Sequence, residues 1–155
     1  MSSHSPIIHT ISVKNFKSLK ETGVLKLKPI TLLVGPNSSG KTALLQTILV
    51  LKQTLESRNI ETPLVLRGRY VNLGSFKEVV FGHNVEEVIE ISLGIDTEMP
   101  FGREPRYRSP LIKIKIGYDA EKASLISKGI EFSTSDKINL KVNEEKLEIL
   151  QEEKI

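Results

Sequence analysis

The run Gly35-Pro36-Asn37-Ser38-Ser39-Gly40-Lys41-Thr42 satisfies G-x-x-x-x-G-K-[ST], the phosphate-binding loop, and no other part of the chain limits its fold so tightly. Such a loop works only between a strand and a helix, because it aims consecutive backbone N–H groups and the positive end of a helix dipole at one anion. Both flanks have the right pattern. Ile30-Thr31-Leu32-Leu33-Val34 is a short apolar run of the kind that forms a strand buried on both faces of a parallel sheet. On the other side Leu44, Leu45, Ile48, Leu49, Leu51 and Leu55 recur at helical spacing, with a stop at Ser57-Arg58-Asn59 and Pro63 beyond.

Within the loop each residue type has a task. Gly35 and Gly40 let the backbone turn and approach a ligand closely. Pro36 follows the first glycine, and the N–H groups from Asn37 through Ser38, Ser39 and Gly40 to Lys41 surround a polyphosphate. The Lys41 ammonium adds a full charge, and the Thr42 hydroxyl is a hard oxygen suited to Mg²⁺. These residues are therefore the expected ligand set for a nucleoside triphosphate, with Thr42 at the metal.

The rest of the composition mainly excludes. Of 155 residues, 39% are hydrophobic and 26% charged, which suits a soluble globular domain. There are no cysteines, so disulfides and thiolate metal sites are ruled out, and His4, His9 and His83 have no ligand spacing. No apolar run is long enough to span a membrane, and the first residues lack the pattern of a signal peptide. A cytoplasmic protein is expected. The net charge of +3 is too small to argue for a nucleic acid. One basic segment, Arg103, Arg106 and Arg108 interleaved with Phe101 and Tyr107, suits either phosphate contacts or a solvated connection between strands.

The pattern divides into residues 1–60, with strands, loop and first helix, and residues 61–155, mainly antiparallel β. Strands are expected from Ile8 to Phe16 and from Val24 to Lys28, and a short helix between Ser75 and Phe81. Alternation at Ile89 to Ile95, Ile112 to Ile116, Ile130 to Phe132 and Ile138 to Val142 predicts a meander, with turns at Asp119-Ala120-Glu121 and Ser135-Asp136-Lys137. Residues 144–155 fit a strand or a helix.

Three segments together resemble a known family. They are Ile11-Ser12-Val13-Lys14-Asn15-Phe16-Lys17-Ser18-Leu19, the loop in its Gly-Pro-Asn-Ser-Ser-Gly-Lys-Thr form, and Arg69 through Val80. They are similar to the N-terminal part of ABC-type ATPase heads of the SMC, RecF and OLD group, AAA-labelled P-loop ATPases; the likeness is strongest over about residues 7 to 95. The resemblance implies an α/β P-loop NTPase fold with an antiparallel subdomain, and ATP with Mg²⁺ as ligands. It places Lys41 at the β- and γ-phosphates, Thr42 at Mg²⁺, and Lys17 with Ser18 near the nucleotide. Two such heads sandwich two nucleotides, so a second head, a C-terminal half, and DNA or a nuclease are the implied partners.

The departures bear on catalysis. No apolar run ends in Asp-Glu, and no Leu-Ser-Gly-Gly signature is present. Ile91 to Asp96 is interrupted by Ser92 and Gly94, and Leu73-Gly74-Ser75 is a fragment of a signature at most. In the family these elements follow the antiparallel strands, so the chain is expected to be the N-terminal half of a head that binds nucleotide without steady hydrolysis. No catalytic residue is assigned. The alternatives are a non-catalytic nucleotide-sensing module and a small P-loop kinase or GTPase.

Overall fold

The computed structural model describes residues 7–57, 62–99, 106–108, 111–133, 138–143 and 146–151. Alternating apolar side chains build its sheet. In β1 (Ile7–Phe16) Ile11 and Val13 point into the core and Phe16 closes the strand, all three essentially buried. Short strands β2 (Leu19–Glu21) and β3 (Leu25–Lys26) both return along β1, so the strand expected from Val24 to Lys28 keeps only two residues. After helix α1 (Lys41–Glu56), the one-turn helix α2 (Phe76–Val79) and a 3-10 turn (Phe81–His83), the chain enters the meander. Its strands are β4 (Ile89–Met99), β5 (Arg106–Arg108), β6 (Leu111–Asp119), β7 (Ser124–Ser133), β8 (Ile138–Asn143) and β9 (Lys146–Gln151).

The sheet runs β2-β1-β4-β6-β7-β8-β9, with β3 also on β1 and β5 on β4, and every pairing among these strands is antiparallel. Register keeps one face apolar: Val13 lies opposite Ile91, Ile91 opposite Ile114, and Ile89 opposite Ile116. The fold is thus mixed α/β with an antiparallel sheet. Residues 146–151 continue it as a strand, which resolves the ambiguity of the tail over that range. Arg106–Arg108 is a strand on β4, whereas Phe101, Arg103 and the turn at Ser135-Asp136-Lys137 lie outside the described residues.

One expectation fails. Ile30 to Val34 joins no described strand, and Ile30, Leu32 and Val34 are 92%, 83% and 81% exposed. Leu33 alone of the run packs against the core. A parallel strand needs a hydrogen-bonded neighbour, and no described strand runs beside this one. Its local bonds instead form a turn, in which the Lys28 N–H donates to Thr31 Oγ1 and that hydroxyl donates to the Lys28 carbonyl.

The buried stripe of α1 is Ala43, Leu44, Thr47, Val50 and Gln53, while Leu45, Ile48 and Leu55 face outward. Two of its five members are polar, and each is satisfied. Thr47 Oγ1 donates to the Ala43 carbonyl at 3.0 Å. Gln53 reaches into the loop beyond the helix: Nε2 donates to the Val65 carbonyl, and Oε1 accepts from the N–H of Tyr70 at 3.3 Å and of Val71 at 3.1 Å. That clamp brings Leu64, Leu66, Leu73, Phe76, Val79 and Val80 into the same core as Phe16. Phe76 stacks on Tyr118 of β6, ring centroids 5.6 Å apart.

Candidate functional site

The site begins where β1 ends. Asn15 and Lys17 both have left-handed backbones, at φ 57° and 52°, and Lys17-Ser18 is the two-residue turn that sends the chain back so that Leu19 pairs with Phe16. The Lys17 N–H donates to the Val79 carbonyl, which ties the turn to α2. Leu19 then rests on the phosphate loop at Gly40. Gly40 has φ 91°, a conformation that favours glycine, and a Cβ there would also displace the end of the Leu19 side chain.

Lys41 opens α1. Its ammonium donates to the Gly35 carbonyl at 2.7 Å, to the Pro36 carbonyl and to Ser39 Oγ at 3.3 Å, so the loop is wrapped around its own cation. The first turn of the 16-residue α1 contains no acidic residue, and no side chain caps it. The positive end of the helix is therefore not answered by an acidic residue of its own first turn. Of the loop amides, that of Ser39 makes a long 3.4 Å bond to the Pro36 carbonyl.

A cleft of about 380 Å³ lies over this helix start. Asn37, Ser38, Gly40, Lys41 and Thr42 form one wall, and Lys17 and Ser18 of the β1–β2 turn form another. Gly35, Pro36 and Ser39 serve it indirectly, as acceptors around the Lys41 ammonium. Ala43 and Gln46 also line the cleft; Gln46 stands one helical turn after Thr42, a spacing from which the sequence offered a way to find it. None of the lining residues carries a carboxylate. Lys17 also acts electrostatically on Glu78, whose pKa is lowered chiefly by the Ser75 N–H and hydroxyl, against a small effect of burial, with Arg67 and Lys17 adding to the shift.

A larger groove, about 910 Å³, lies between the end of α1, Pro63 and strands β4, β6 and β7. Its lining is mostly Leu and Ile, with nothing convergent to hold a phosphate, so size does not mark the site here.

A family model described as AAA ATPase domain matches residues 7–155. The chain belongs to that family. The match spans the sheet, the loop and the cleft alike, and a nucleotide is the ligand class that an AAA ATPase domain implies. No curated protein matches the chain. Among the described residues no helix is long and apolar enough to cross a membrane.

Proposed function

We propose that this AAA ATPase domain binds ATP with Mg²⁺ in the cleft above α1. The observation that carries the reading is the Lys41 ammonium, gathered by the loop carbonyls at the uncapped start of a four-turn helix and facing the Lys17-Ser18 turn across the cleft. An anion there meets two ammonium groups, the loop amides and the helix dipole together. Asn37 to Lys41 would hold the phosphates, and Ser18 would sit beside them. Thr42 is exposed at the cleft and offers a single hard oxygen. That donor set fits a Mg²⁺ ion that arrives largely coordinated by phosphate and water, as this ion prefers. When bound, it would neutralise phosphate charge.

Supporting a fuller reading, the resemblance at residues 11–19, 35–42 and 69–80 suggests the N-terminal half of an SMC, RecF or OLD-like head, active in DNA repair, DNA processing or phage defence. In that reading a water-orienting carboxylate and a signature motif come from the C-terminal half and from a second head. Hydrolysis needs such groups, because a phosphate loop positions the nucleotide but does not orient the attacking water. The absence of carboxylates from the cleft lining equally favours a second reading, a nucleotide sensor that never turns over.

Calorimetric titration of this chain with Mg-ATP tests the proposal. Binding is expected to be modest and to weaken at least about tenfold in Lys41→Ala, which removes one of two cleft ammonium groups. Equal affinity in both proteins would overturn the assignment. Steady turnover by the chain alone, lost in Lys41→Ala, would overturn the expectation that it binds without hydrolysis.

A further inference from the structure

We propose that Asn15 is a positioning residue for the cleft, whose side-chain amide fixes the left-handed turn that presents Lys17 to bound phosphate. The inference rests on the nucleotide reading above. Asn15 is 7% exposed and makes no contact with the cleft. Its Nδ2 donates both to Glu87 Oε2 and to the Val88 carbonyl, each at 3.0 Å, and so fastens the end of β1 to the segment entering β4, more than seventy residues on. The backbone at Asn15 is left-handed, a conformation that asparagine tolerates better than other non-glycine residues.

Three consecutive residues are therefore tied down in different ways. Asn15 is held through its side chain, Phe16 through full burial and a bridge to Val80, and Lys17 through its amide on the Val79 carbonyl. The first tether sets the direction in which the second and third leave the sheet. Lys17 carries its charge on a flexible four-carbon stem, and the affinity that such a group adds depends on how little freedom remains to be lost when it docks. Left-handed backbones at Asn15, near the end of β1, and at Lys17, in the turn, are costly for non-glycine residues and persist only with external bonds. The Asn15 amide supplies them at a point where no ligand contact explains a buried polar group.

A double-mutant cycle in Mg-ATP affinity tests this, using the chain as it stands and thermal melting to confirm folding. Asn15→Gly keeps the left-handed backbone and removes the amide; Lys17→Ala removes the cation. Each is expected to weaken binding about three- to tenfold, and the double variant no further than Lys17→Ala alone. A purely structural Asn15 would lower the melting temperature without this coupling. Asn15→Asp is the second variant: it keeps size and backbone preference but sets an acceptor against Glu87 and Val88, and Glu87→Gln in that background returns a donor and is expected to recover part of the affinity. Wild-type affinity in Asn15→Gly and Asn15→Asp, or a loss that persists in the Lys17→Ala background, overturns the positioning role and leaves the nucleotide reading standing. Wild-type protein that binds no Mg-ATP overturns both.

Discussion

Glu78 shows how single residues hold the cleft's surroundings. Its Oε2 accepts from the Ser75 N–H at 2.6 Å and from the Ser75 hydroxyl at 2.9 Å, fixing the entry to α2, whose Val79 carbonyl then receives the Lys17 amide. These donors favour the ionised carboxylate, so its pKa is lower in the folded protein than in the unfolded chain. The sign follows. The contribution to stability is complete above the ordinary carboxylate range and is lost as pH falls through the depressed folded value. Glu78→Gln is expected to lower the melting temperature at pH 7, and the difference from wild type should shrink steadily towards pH 3; a constant difference would refute the assignment. At this scale the sequence was most legible where the chemistry is consecutive. Gly35 to Thr42 declare themselves as a string, and the turn that brings Lys17 and Ser18 to the same cleft was expected only from resemblance. Asn15 and Leu19 could not be found that way, because their partners, Glu87 with Val88 and Gly40, are distant in sequence and meet only in the folded chain.

Helix α1 is the element on which the site depends, and its inner face is not the one that hydrophobic spacing selects. Leucines at 45 and 55 and Ile48 are turned outward, while Thr47 and Gln53 are buried. A period-3.6 reading scores apolar residues and so passes over polar ones that are satisfied inside. The strands were easier, since alternation in β4 and β6 specifies both a strand and the face that it buries. Their pairing order, with β1 between β2 and β4, depends on long-range contacts that no local pattern carries. Gln53 offers a direct test. Its 5% exposed amide is shared among three backbone groups of the following loop. Gln53→Leu keeps the volume but leaves one carbonyl and two N–H groups with a lost partner. A fully buried orphaned group costs about 1–3 kcal/mol, but these three are only part-buried and water can reach them in part, so a total loss of about 2–4 kcal/mol is expected. Urea unfolding measures it. A loss below about 0.5 kcal/mol would mean that the loop is held by its apolar residues alone.

At the scale of the whole molecule, the apolar surface that the chain leaves uncovered has a measurable consequence. Ile30, Leu32 and Val34 project from a segment without strand partners among the described residues, and an apolar groove lined by Ile8, Leu27, Ile48, Leu51 and Leu55 lies between β1, α1 and the residue that follows β3. The apolar run that suggested a buried strand is present, but the covering layers such a strand requires are not found among the described residues. Burying one such side chain yields about 1.5–3 kcal/mol, so three yield about 5–9 kcal/mol. Association itself costs about 4–15 kcal/mol in lost rigid-body freedom. The two ranges nearly cancel, which predicts weak, concentration-dependent self-association rather than a tight dimer. Light scattering should detect it at high protein concentration, together with binding of a dye that reports exposed apolar surface. Ile30→Lys with Leu32→Lys should suppress both signals while moving stability by no more than about 0.5 kcal/mol per site, since neither side chain is packed. A clean monomer over a broad concentration range, with no dye binding, would show that this segment is covered in solution by part of the chain itself.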